Sequence, residues 1–512
     1  MRKAFVAGTS FVALLLPAWA SAQTLATGAP KDTFDVATHV SGLSQPTDFR
    51  FLPDGRIVII QKGGQVRVRR TDGTIANAGT FPVDTESEKG GLGVEVHPNF
   101  ATNKTLFFYY SLASGSGGTD LDRHRVVSIA LKDDNTLDMT TEKVLVKDIR
   151  GPANHDGGAL SVLGDKLFIG TGDTGCNSGK PPGAANASNY FGTCLTNGNG
   201  KVLRVNLDGT IPTDNPLSSL TAVVACGASC GTVPVATTTG APRKDIYAWG
   251  FRNAFRLWGD PVTGNVWVGD VGEVTWEDIT VVKKGQHHGW PWREGAEGDP
   301  IAKCQDFTPD KSNCVDPTYA CKHPECSAIT GGQIVDSCDW PTTFRGLYFF
   351  ADYGAGQIWT LQPNAARDGV VAGSRKNFAT ANGIVAIHTG NDRALYALSL
   401  NGALYRFSVK APVTCTTPDA GPADTGPADT GVPPTDGGVT DTGTTPGDGS
   451  VSDTGSAGDG GTTDDSGVAP GTDDSGGCGC QTPGTSDTSR HAGLALLGVG
   501  ALVARRRRSK AR

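Results

Sequence analysis

A short unit recurs six times along the middle of this 512-residue chain and limits what the chain can fold into. Each copy begins with a polar turn and continues at once into an apolar and aromatic run of strand length. The six copies lie at residues 54–60, 103–110, 164–170, 263–269, 345–350 and 391–398. This recurrence predicts an all-β fold, a six-bladed β-propeller, because a closed ring of small antiparallel sheets leaves no long exposed sheet edge. A pair of β-sandwiches is the alternative that fits the same pattern.

The cysteines lie mainly in the two widest gaps between these copies. Ten of the 12 cysteines precede or begin an Asp-rich tail, and nine of those ten lie between the third and the fifth copy of the unit. None shows the paired spacing of a convincing zinc site, whereas an exported chain forms disulfides readily. We therefore expect the propeller to carry disulfide-rich insertions.

The N-terminus predicts export. Residues 1–22 combine Arg2 and Lys3, an apolar run, and small residues suited to cleavage after Ala20 or Ala22, which is typical of a signal peptide. A retained membrane anchor is the alternative, but the apolar run is shorter than the roughly 20 residues that span a bilayer. The propeller itself is predicted over residues 24–410.

Two segments after the propeller differ from it in composition. Residues 416–477 contain 12 Asp, no Lys or Arg and no aromatic residue, so they predict a disordered spacer. Residues 478–512 combine Cys478 and Cys480, an apolar run and four consecutive arginines, and they resemble the myxobacterial C-terminal sorting tail (MYXO-CTERM type). The resemblance implies an exported protein, secreted or associated with the outer membrane at the cell surface. A plain C-terminal membrane anchor is the alternative.

The charge of the chain argues against a nucleic-acid partner. The formal net charge is −7, and the aspartates of residues 416–477 account for more than all of it. The rest of the chain is slightly positive, and much of that charge lies at the two ends, so the propeller is close to neutral and carries no basic footprint.

The most distinctive polar stretch is the loop Asn154-His155-Asp156-Gly157-Gly158. Its glycines let a ligand approach the imidazole of His155 without a bulky neighbour. Asp173 ends the apolar run that follows and is a candidate to orient the ring through its second nitrogen. The alternative is that the glycines serve only a tight turn and His155 is a surface residue.

A second polar cluster surrounds the fourth copy of the unit. Arg252 and Asn253 place a planar cation beside an amide, which suits an anionic or carbonyl-bearing ligand. Glu277 and Asp278 follow among glycines whose carbonyls can turn inward, as a hard cation such as Ca²⁺ requires. A solvated strand face is the alternative for this carboxylate pair.

Seven groups of motifs occur in the order found in one known family. They are Leu52-Pro53-Asp54-Gly55-Arg56 with Gln61, residues 90–100, residues 154–158, residues 200–206 with 211–216, residues 250–253, residues 269–273, and Phe350-Ala351-Asp352-Tyr353. Over about residues 35–408 the chain resembles the glucose/sorbosone dehydrogenase family, soluble six-bladed propellers that use pyrroloquinoline quinone (PQQ). The cysteine-rich segment from Cys304 to Cys338 is similar to the branch that includes hedgehog-interacting-protein-like propellers.

The resemblance implies a PQQ-dependent sugar dehydrogenase that passes electrons to an external acceptor. His155 would be the general base that removes a proton from a sugar hydroxyl while hydride passes to the quinone, and Asp173 would orient it. Arg252 would polarise the quinone carbonyl. Gln61 and Asn253 would contact the cofactor, and Asn154 would lie beside it near the substrate.

The same resemblance implies calcium. A Ca²⁺ that bridges to the cofactor would bind the backbone carbonyls of Gly272 and Glu273. A second Ca²⁺ would use Asp278, with Glu277, and the carbonyl of His288.

One departure from the family keeps other functions open. In the best-known sugar oxidisers, late basic residues pair with the carboxylates of PQQ, whereas residues 383–407 here contain only Arg393 and Arg406. The first alternative is a non-catalytic cell-surface propeller that binds a carbohydrate or a protein. A Ca²⁺-dependent lactonase-type hydrolase is a weaker one, because His155 and Arg252 have the setting found in the dehydrogenases.

Overall fold

The computed structural model describes residues 32–151, 154–176, 189–225, 239–298 and 315–415. The predicted signal peptide (1–22), spacer (416–477) and sorting tail (478–512) lie outside the described residues, as do most of the segments around Cys226, Cys230, Cys304 and Cys314. Within the described ranges, no helix is long and apolar enough to cross a membrane.

Six antiparallel four-stranded sheets, the blades, dominate the described part of the chain. Listed from the innermost strand outward, blade 1 is Pro46–Phe51, Ile57–Gln61, Gln65–Arg69 and Ile75–Thr80, and blade 2 is Gly91–Val96, Thr105–Ser111, His124–Leu131 and Leu137–Ile149. Blade 3 is Ala159–Leu163, Lys166–Gly170, Lys201–Asn206 and Ile246–Trp249, and blade 4 is Ala254–Gly259, Val266–Asp270, Trp276–Val282 and Tyr319–Lys322. Blade 5 is Ile329–Ile334, Tyr348–Asp352, Gln357–Leu361 and Lys376–Thr380, and blade 6 is Ile384–Thr389, Leu395–Ser399, Ala403–Val409 and Phe34–Val40.

The remaining described elements are short. They are the helix Phe100–Asn103, the 3₁₀ turns Ser114–Ser116 and Tyr190–Gly192, the ribbon of Val223–Val224 with Thr239–Gly240, and the ribbon of Arg293–Glu294 with Glu297–Gly298.

The blades close into a ring. The innermost strands of neighbouring blades contact one another in cyclic order from blade 1 to blade 6 and back to blade 1. The N-terminal strand Phe34–Val40 completes blade 6 by pairing with Ala403–Val409, so the two ends of the propeller are joined by a sheet ladder. The predicted six-bladed propeller is therefore confirmed, and the two-sandwich alternative is wrong.

All six copies of the turn-and-strand unit supply the second strand of their blade. These strands read as continuous apolar runs because both of their faces are buried between blades. In blade 1, Ile57 and Ile59 pack against blade 6, whereas Val58 and Ile60 pack against blade 2. Successive side chains of a strand point to opposite faces, so a single strand contributes to two hydrophobic layers. One such layer lies at each of the six blade boundaries.

The prediction of disulfides is confirmed. Cys321 pairs with Cys326 at the end of the outermost strand of blade 4, and Cys338 pairs with Cys415 across 77 residues of chain. Cys176 and Cys194 are also disulfide-bonded. The Cys338–Cys415 bridge fastens the segment that follows Ala403–Val409 to the loop after the innermost strand of blade 5, which limits the freedom of the unfolded chain.

Candidate active site

His155 and Asp173 form a buried pair at the inner edge of blade 3. The Nδ1 atom of His155 lies 2.7 Å from Oδ1 of Asp173, and the two residues are only 6% and 1% exposed. His155 is therefore not a surface residue. An ionised carboxylate only accepts hydrogen bonds, so Asp173 places the imidazole proton on Nδ1 and leaves the lone pair on Nε2. This is the arrangement that the sequence predicts for these two residues.

The backbone around His155 explains the surrounding glycines. His155 has a φ of 54°, a left-handed conformation that is uncommon outside glycine and that clusters at functional sites. The opposing Gly172 approaches so closely that a Cβ atom there would lie 1.8 Å from the carbonyl oxygen of His155. The glycines thus serve a tight turn and also allow the histidine loop to pack on the strand end that carries Asp173.

Trp290 is a third member of this group that sequence reasoning did not assign. Its indole Nε1 donates to Oδ2 of Asp173 at 2.8 Å, while the backbone N–H of Gly175 donates to Oδ1 at 2.8 Å. The guanidinium of Arg252 lies over the indole ring, 5.7 Å from its centroid. Trp290 therefore links the acid that orients His155 to the arginine that the sequence assigns to the quinone.

Arg252 and Asn253 are joined to the histidine loop by hydrogen bonds. The carbonyl of Arg252 accepts the N–H of Asp173 at 2.8 Å, and Oδ1 of Asn253 accepts the N–H of Gly157 at 3.1 Å. Asp270 accepts the backbone N–H groups of Arg252 and Asn253 at 3.1 and 2.6 Å. Burial raises the pKa of Asp270 to about 7, against the opposing effect of these donors and of the Arg252 charge.

Glu88 is the second residue that the sequence did not reveal. Its Oε2 atom accepts the backbone N–H of His155 at 3.0 Å, across 67 residues of chain. Burial raises the pKa of the Glu88 carboxyl, and the nearby His155 and Arg252 oppose that rise. The only sequence signal is an acid placed just before Gly90 and Gly91, within a loop of several acids.

A cleft open to solvent, with about 700 Å³ of space including the solvent at its mouth, lies beside these residues at the centre of the ring. Its wall includes Thr47, Leu92, Gly157, Asn253, Phe255, Thr330 and Val385, so every blade contributes to it. Lys62, Glu88 and Arg256 add charged groups to the wall. The cleft is mostly apolar, with a few converging polar groups, which is typical of a cofactor or ligand site.

Gln61 does not line this cleft. Its amide Nε2 donates to the carbonyl of Ser44 at 2.7 Å, and its Oε1 accepts from Arg67 at 2.9 Å. The predicted cofactor contact thus has both ends of its amide engaged within blade 1. Asn154, the predicted neighbour of the substrate, packs over Gly175.

The residues assigned to calcium are only partly available. The carbonyl oxygen of Gly272 accepts a hydrogen bond from Nη1 of Arg252 at 2.6 Å. The guanidinium therefore takes the oxygen that was assigned to Ca²⁺. The carboxylate of Glu277 is fully buried and is bonded to the ring of His323 at 2.8 Å and to the N–H of Ile329 at 2.9 Å. In the ranges that the structure describes, no three His, Cys, Asp or Glu side chains come together as a metal site.

A neighbouring set of oxygens does fit a hard cation. Glu294 uses one carboxylate oxygen to accept four successive backbone N–H groups, from Glu273 to Trp276, at 2.8 to 3.1 Å. Its other oxygen and Oδ1 of Asp278 are buried without a hydrogen-bond partner among the described residues. Burial, with Asp270 nearby, raises the pKa of Asp278 well above its usual value. Two buried, unpartnered carboxylate oxygens are donors of the kind that Ca²⁺ takes.

The imidazole of His288 takes no part in this set. Its ring stacks on Phe251 with centroids 4.7 Å apart, and both ring nitrogens are buried without partners within the described residues. Burial lowers the pKa of His288 to about 3. The sequence assigned only the carbonyl of His288 to the metal, and that assignment stays a prediction.

The two late arginines lie away from the cleft wall. Arg406 donates from Nε to Asp392 at 2.7 Å and from Nη1 to Ser408 at 2.9 Å, toward the outside of blade 6. Arg393 contacts Cys415, and its carbonyl accepts the indole N–H of Trp340. The departure from the best-known sugar oxidisers noted in the sequence therefore persists in the folded chain.

The chain is similar in sequence to two proteins named as sugar dehydrogenases and to one HIPL protein. Quinoprotein glucose dehydrogenase B of Acinetobacter calcoaceticus is 27% identical over 286 residues, which cover 53% of this chain and 55% of that protein. Aldose sugar dehydrogenase YliI of Escherichia coli (strain K12) is 25% identical over 267 residues, or 51% and 62%. The HIPL2 protein of Arabidopsis thaliana is 23% identical over 327 residues, or 55% and 44%. The chain thus spans about half the length of the curated relatives it matches.

Solved structures share the propeller. A crystal structure of a glucose dehydrogenase superposes with a TM-score of 0.57 at 21% identity, covering 73% of this chain and 99% of that one. The PQQ-bound form of an aldose sugar dehydrogenase from Streptomyces coelicolor gives a TM-score of 0.53 at 19% identity, covering 75% and 100%. At these identities the likeness shows the fold. The family profile of glucose/sorbosone dehydrogenases matches residues 43–406, and the chain belongs to that family.

Proposed function

We propose that this protein is a PQQ-dependent dehydrogenase that oxidises a CH–OH group of an aldose or a related sugar. The observation that carries the proposal is the buried pair of His155 and Asp173, 2.7 Å apart and joined through Trp290 to Arg252. A histidine with a fixed tautomer beside a fixed cation is suited to taking a hydroxyl proton while negative charge develops nearby.

Each residue of this group has a distinct role. Asp173 accepts the Nδ1 proton, so the Nε2 lone pair of His155 is free to take the proton of the sugar hydroxyl. PQQ, when bound, supplies the quinone that accepts the hydride. Arg252 provides positive charge for the oxygen that becomes negative, and Trp290 holds both Asp173 and Arg252 in place. The proposal also requires an external electron acceptor as a partner.

Calcium is part of the proposal. The carbonyls of Gly272 and Glu273 would hold one ion, provided that Arg252 releases the carbonyl of Gly272. Asp278 and Glu294 would supply the buried oxygens for another. A doubly charged ion there would offset the cost of burying these acids close together.

Reconstitution of the full chain with PQQ and Ca²⁺, followed by dye reduction across a panel of aldoses, tests the proposal. We expect turnover with at least one aldose and a loss of about 10²- to 10⁴-fold in His155→Ala, because general-base catalysis contributes about that much. The variant should still fold, with a stability lower by about 1.5 to 3 kcal/mol, because Asp173 loses one charge-assisted hydrogen bond. Undiminished dye reduction in His155→Ala would remove this residue from the reaction.

A non-catalytic binding propeller is the second candidate. It is favoured by the position of Arg393 and Arg406 away from the cleft and by the similarity to the HIPL2 protein, whose name states no activity. On this alternative the same cleft face binds a carbohydrate or a protein. The two candidates differ in one measurement, since the binding module shows no quinone absorbance shift when PQQ is added in the high micromolar range.

We also propose that the protein is exported and displayed at the cell surface or outer membrane, or secreted, on the basis of residues 1–22 and 478–512. Brief protease treatment of intact cells should then remove the propeller and leave cytoplasmic proteins untouched. Protection of the propeller in intact cells, together with digestion after lysis, would place it inside.

A further inference from the structure

Two cations line the cleft without a carboxylate partner. The Nζ atom of Lys62 donates to the carbonyl of Thr85 at 2.6 Å, and the guanidinium of Arg256 donates to the carbonyls of Thr47 and Phe255 at 2.5 and 2.7 Å. Neither residue makes an ion pair within 4 Å with any described carboxylate, and Nε of Arg256 is buried without a partner. The carbonyls satisfy donors on both side chains. The carboxylates that act on Lys62 (Asp84, Glu88 and Asp156) and on Arg256 (Asp48) do so from beyond ion-pair distance, so neither cation has a carboxylate in direct contact.

The nearest acid to Arg256 is already committed elsewhere. Asp48 is bound to Arg50 at 2.8 Å and to His388 at 3.1 Å, on the innermost strands of blades 1 and 6. Arg256 is only 6% exposed, so its charge is held in a low-dielectric setting where a counter-ion is worth most. An anionic group entering the cleft would offset the burial cost of Arg256.

The remainder of the wall favours a flat, apolar ligand body. Leu92, Phe255, Tyr353, Val385 and Leu400 line it, and most of its surface is apolar. The guanidinium of Arg256 stacks on the ring of Phe255, 4.5 Å from its centroid. An aromatic molecule with carboxylates along one edge would match apolar walls and unpaired cations together.

We infer that Lys62 and Arg256 hold the carboxylates of the cofactor in this chain, in place of basic residues late in the sequence. The inference rests on the proposed function, since PQQ is the planar tricarboxylate that the proposal requires. Lys62 follows Gln61 in blade 1 and Arg256 belongs to blade 4, so the two cations approach the cleft from different sides of the ring.

Glu88 gives the bound molecule a direction. Its carboxylate lines the same cleft and is hydrogen-bonded to the His155 loop. Its charge disfavours a ligand carboxylate beside the His155 loop, and the same charge acts on Lys62. The acidic edge of the ligand is therefore directed mainly toward Arg256, and its carbonyl edge toward the loop that carries His155.

Equilibrium titration of the metal-loaded full chain with PQQ, followed by tryptophan fluorescence and quinone absorbance, tests the inference without turnover. Lys62→Met and Arg256→Gln should each weaken binding by about 10- to 100-fold, because a charge-assisted contact is lost. Arg256→Lys should restore part of the loss. Arg406→Gln is the matched control and should bind PQQ as the parent does. Binding by the parent should weaken as salt rises, and less steeply in the two cleft variants.

The trimethyl ester of PQQ is the second probe, since it keeps the ring system and lacks the carboxylate charges. The parent should prefer the acid to the ester, and Lys62→Met should lose most of that preference even if Arg256→Gln fails to fold. Parent-like affinity for PQQ in Lys62→Met and in a folded Arg256 variant would overturn the inference while leaving the proposed function intact. A tenfold loss in Arg406→Gln would also overturn it. A parent protein that does not bind PQQ would refute the proposed function and the inference together.

Discussion

Replacing Asp173 by asparagine tests two effects of this carboxylate: its orientation of the His155 ring, and its contribution to the free energy of unfolding. Oδ1 of Asp173 accepts from His155 and Gly175, and Oδ2 accepts from Trp290. An amide has only one oxygen, so in either orientation its NH₂ group faces an N–H donor, of Gly175 or of Trp290. The variant therefore loses at least one hydrogen bond to a charged acceptor at a site that is 1% exposed, which should cost about 1.5 to 3 kcal/mol of stability.

The catalytic effect should be larger than the effect on stability. When the NH₂ group of the asparagine faces His155, it donates to Nδ1 and moves the imidazole proton to Nε2, the atom that must accept the substrate proton. In serine proteases the equivalent change costs about 10⁴-fold in turnover. We expect a loss of about 10³- to 10⁴-fold in dye reduction by Asp173→Asn, with PQQ affinity within a few-fold of the parent.

Asp260→Asn is the matched control. Asp260 is also fully buried and accepts from Val262, Thr263 and Arg367, at the far end of the innermost strand of blade 4. Urea unfolding should show a similar loss of stability in both variants, whereas only Asp173→Asn should lose turnover. Turnover within twofold of the parent in a folded Asp173→Asn variant would refute the assigned role of the pair.

Two further predictions concern the buried group of Asp48, Arg50 and His388 and the tail. Burial and Arg50 lower the pKa of His388 to about 4, against the effect of Asp48. Between pH 4 and the unfolded pKa of about 6.5, the unfolded chain therefore binds a proton that the folded chain does not. The free energy of unfolding should rise with pH over this window, by up to about 3 kcal/mol. Urea unfolding of His388→Gln should show a smaller rise of stability with pH over that window. An unchanged slope would contradict the assignment of this pH dependence to His388. Truncation after Cys415 keeps the Cys338–Cys415 bridge and should leave the melting temperature within a few degrees of the full chain, since residues 416–477 are predicted to bury no core. A fall of ten degrees or more would show that the tail packs on the propeller.

The sequence alone indicated the number of blades, because each blade buries its second strand on both faces. That double burial demands an unbroken apolar run after a tight turn, and the demand is local enough to read at residues 54–60 as well as at 391–398. The pair of His155 and Asp173 could also be predicted, since both belong to the start of blade 3 and only one hairpin separates them.

Tertiary structure alone decided which other groups surround that pair. Glu88, which lies just before blade 2, accepts a hydrogen bond from His155, and Trp290 donates one to Asp173 across 117 residues. Neither contact can be recognised from a repeating pattern in the sequence. Gln61 faces Ser44 and Arg67 instead of the cleft, and His323 and Ile329 bind the carboxylate of Glu277. Ring closure sets these contacts, because it brings strand ends from all six blades together around one axis. A buried charge near that axis therefore takes its partners from blades that lie far apart in the sequence.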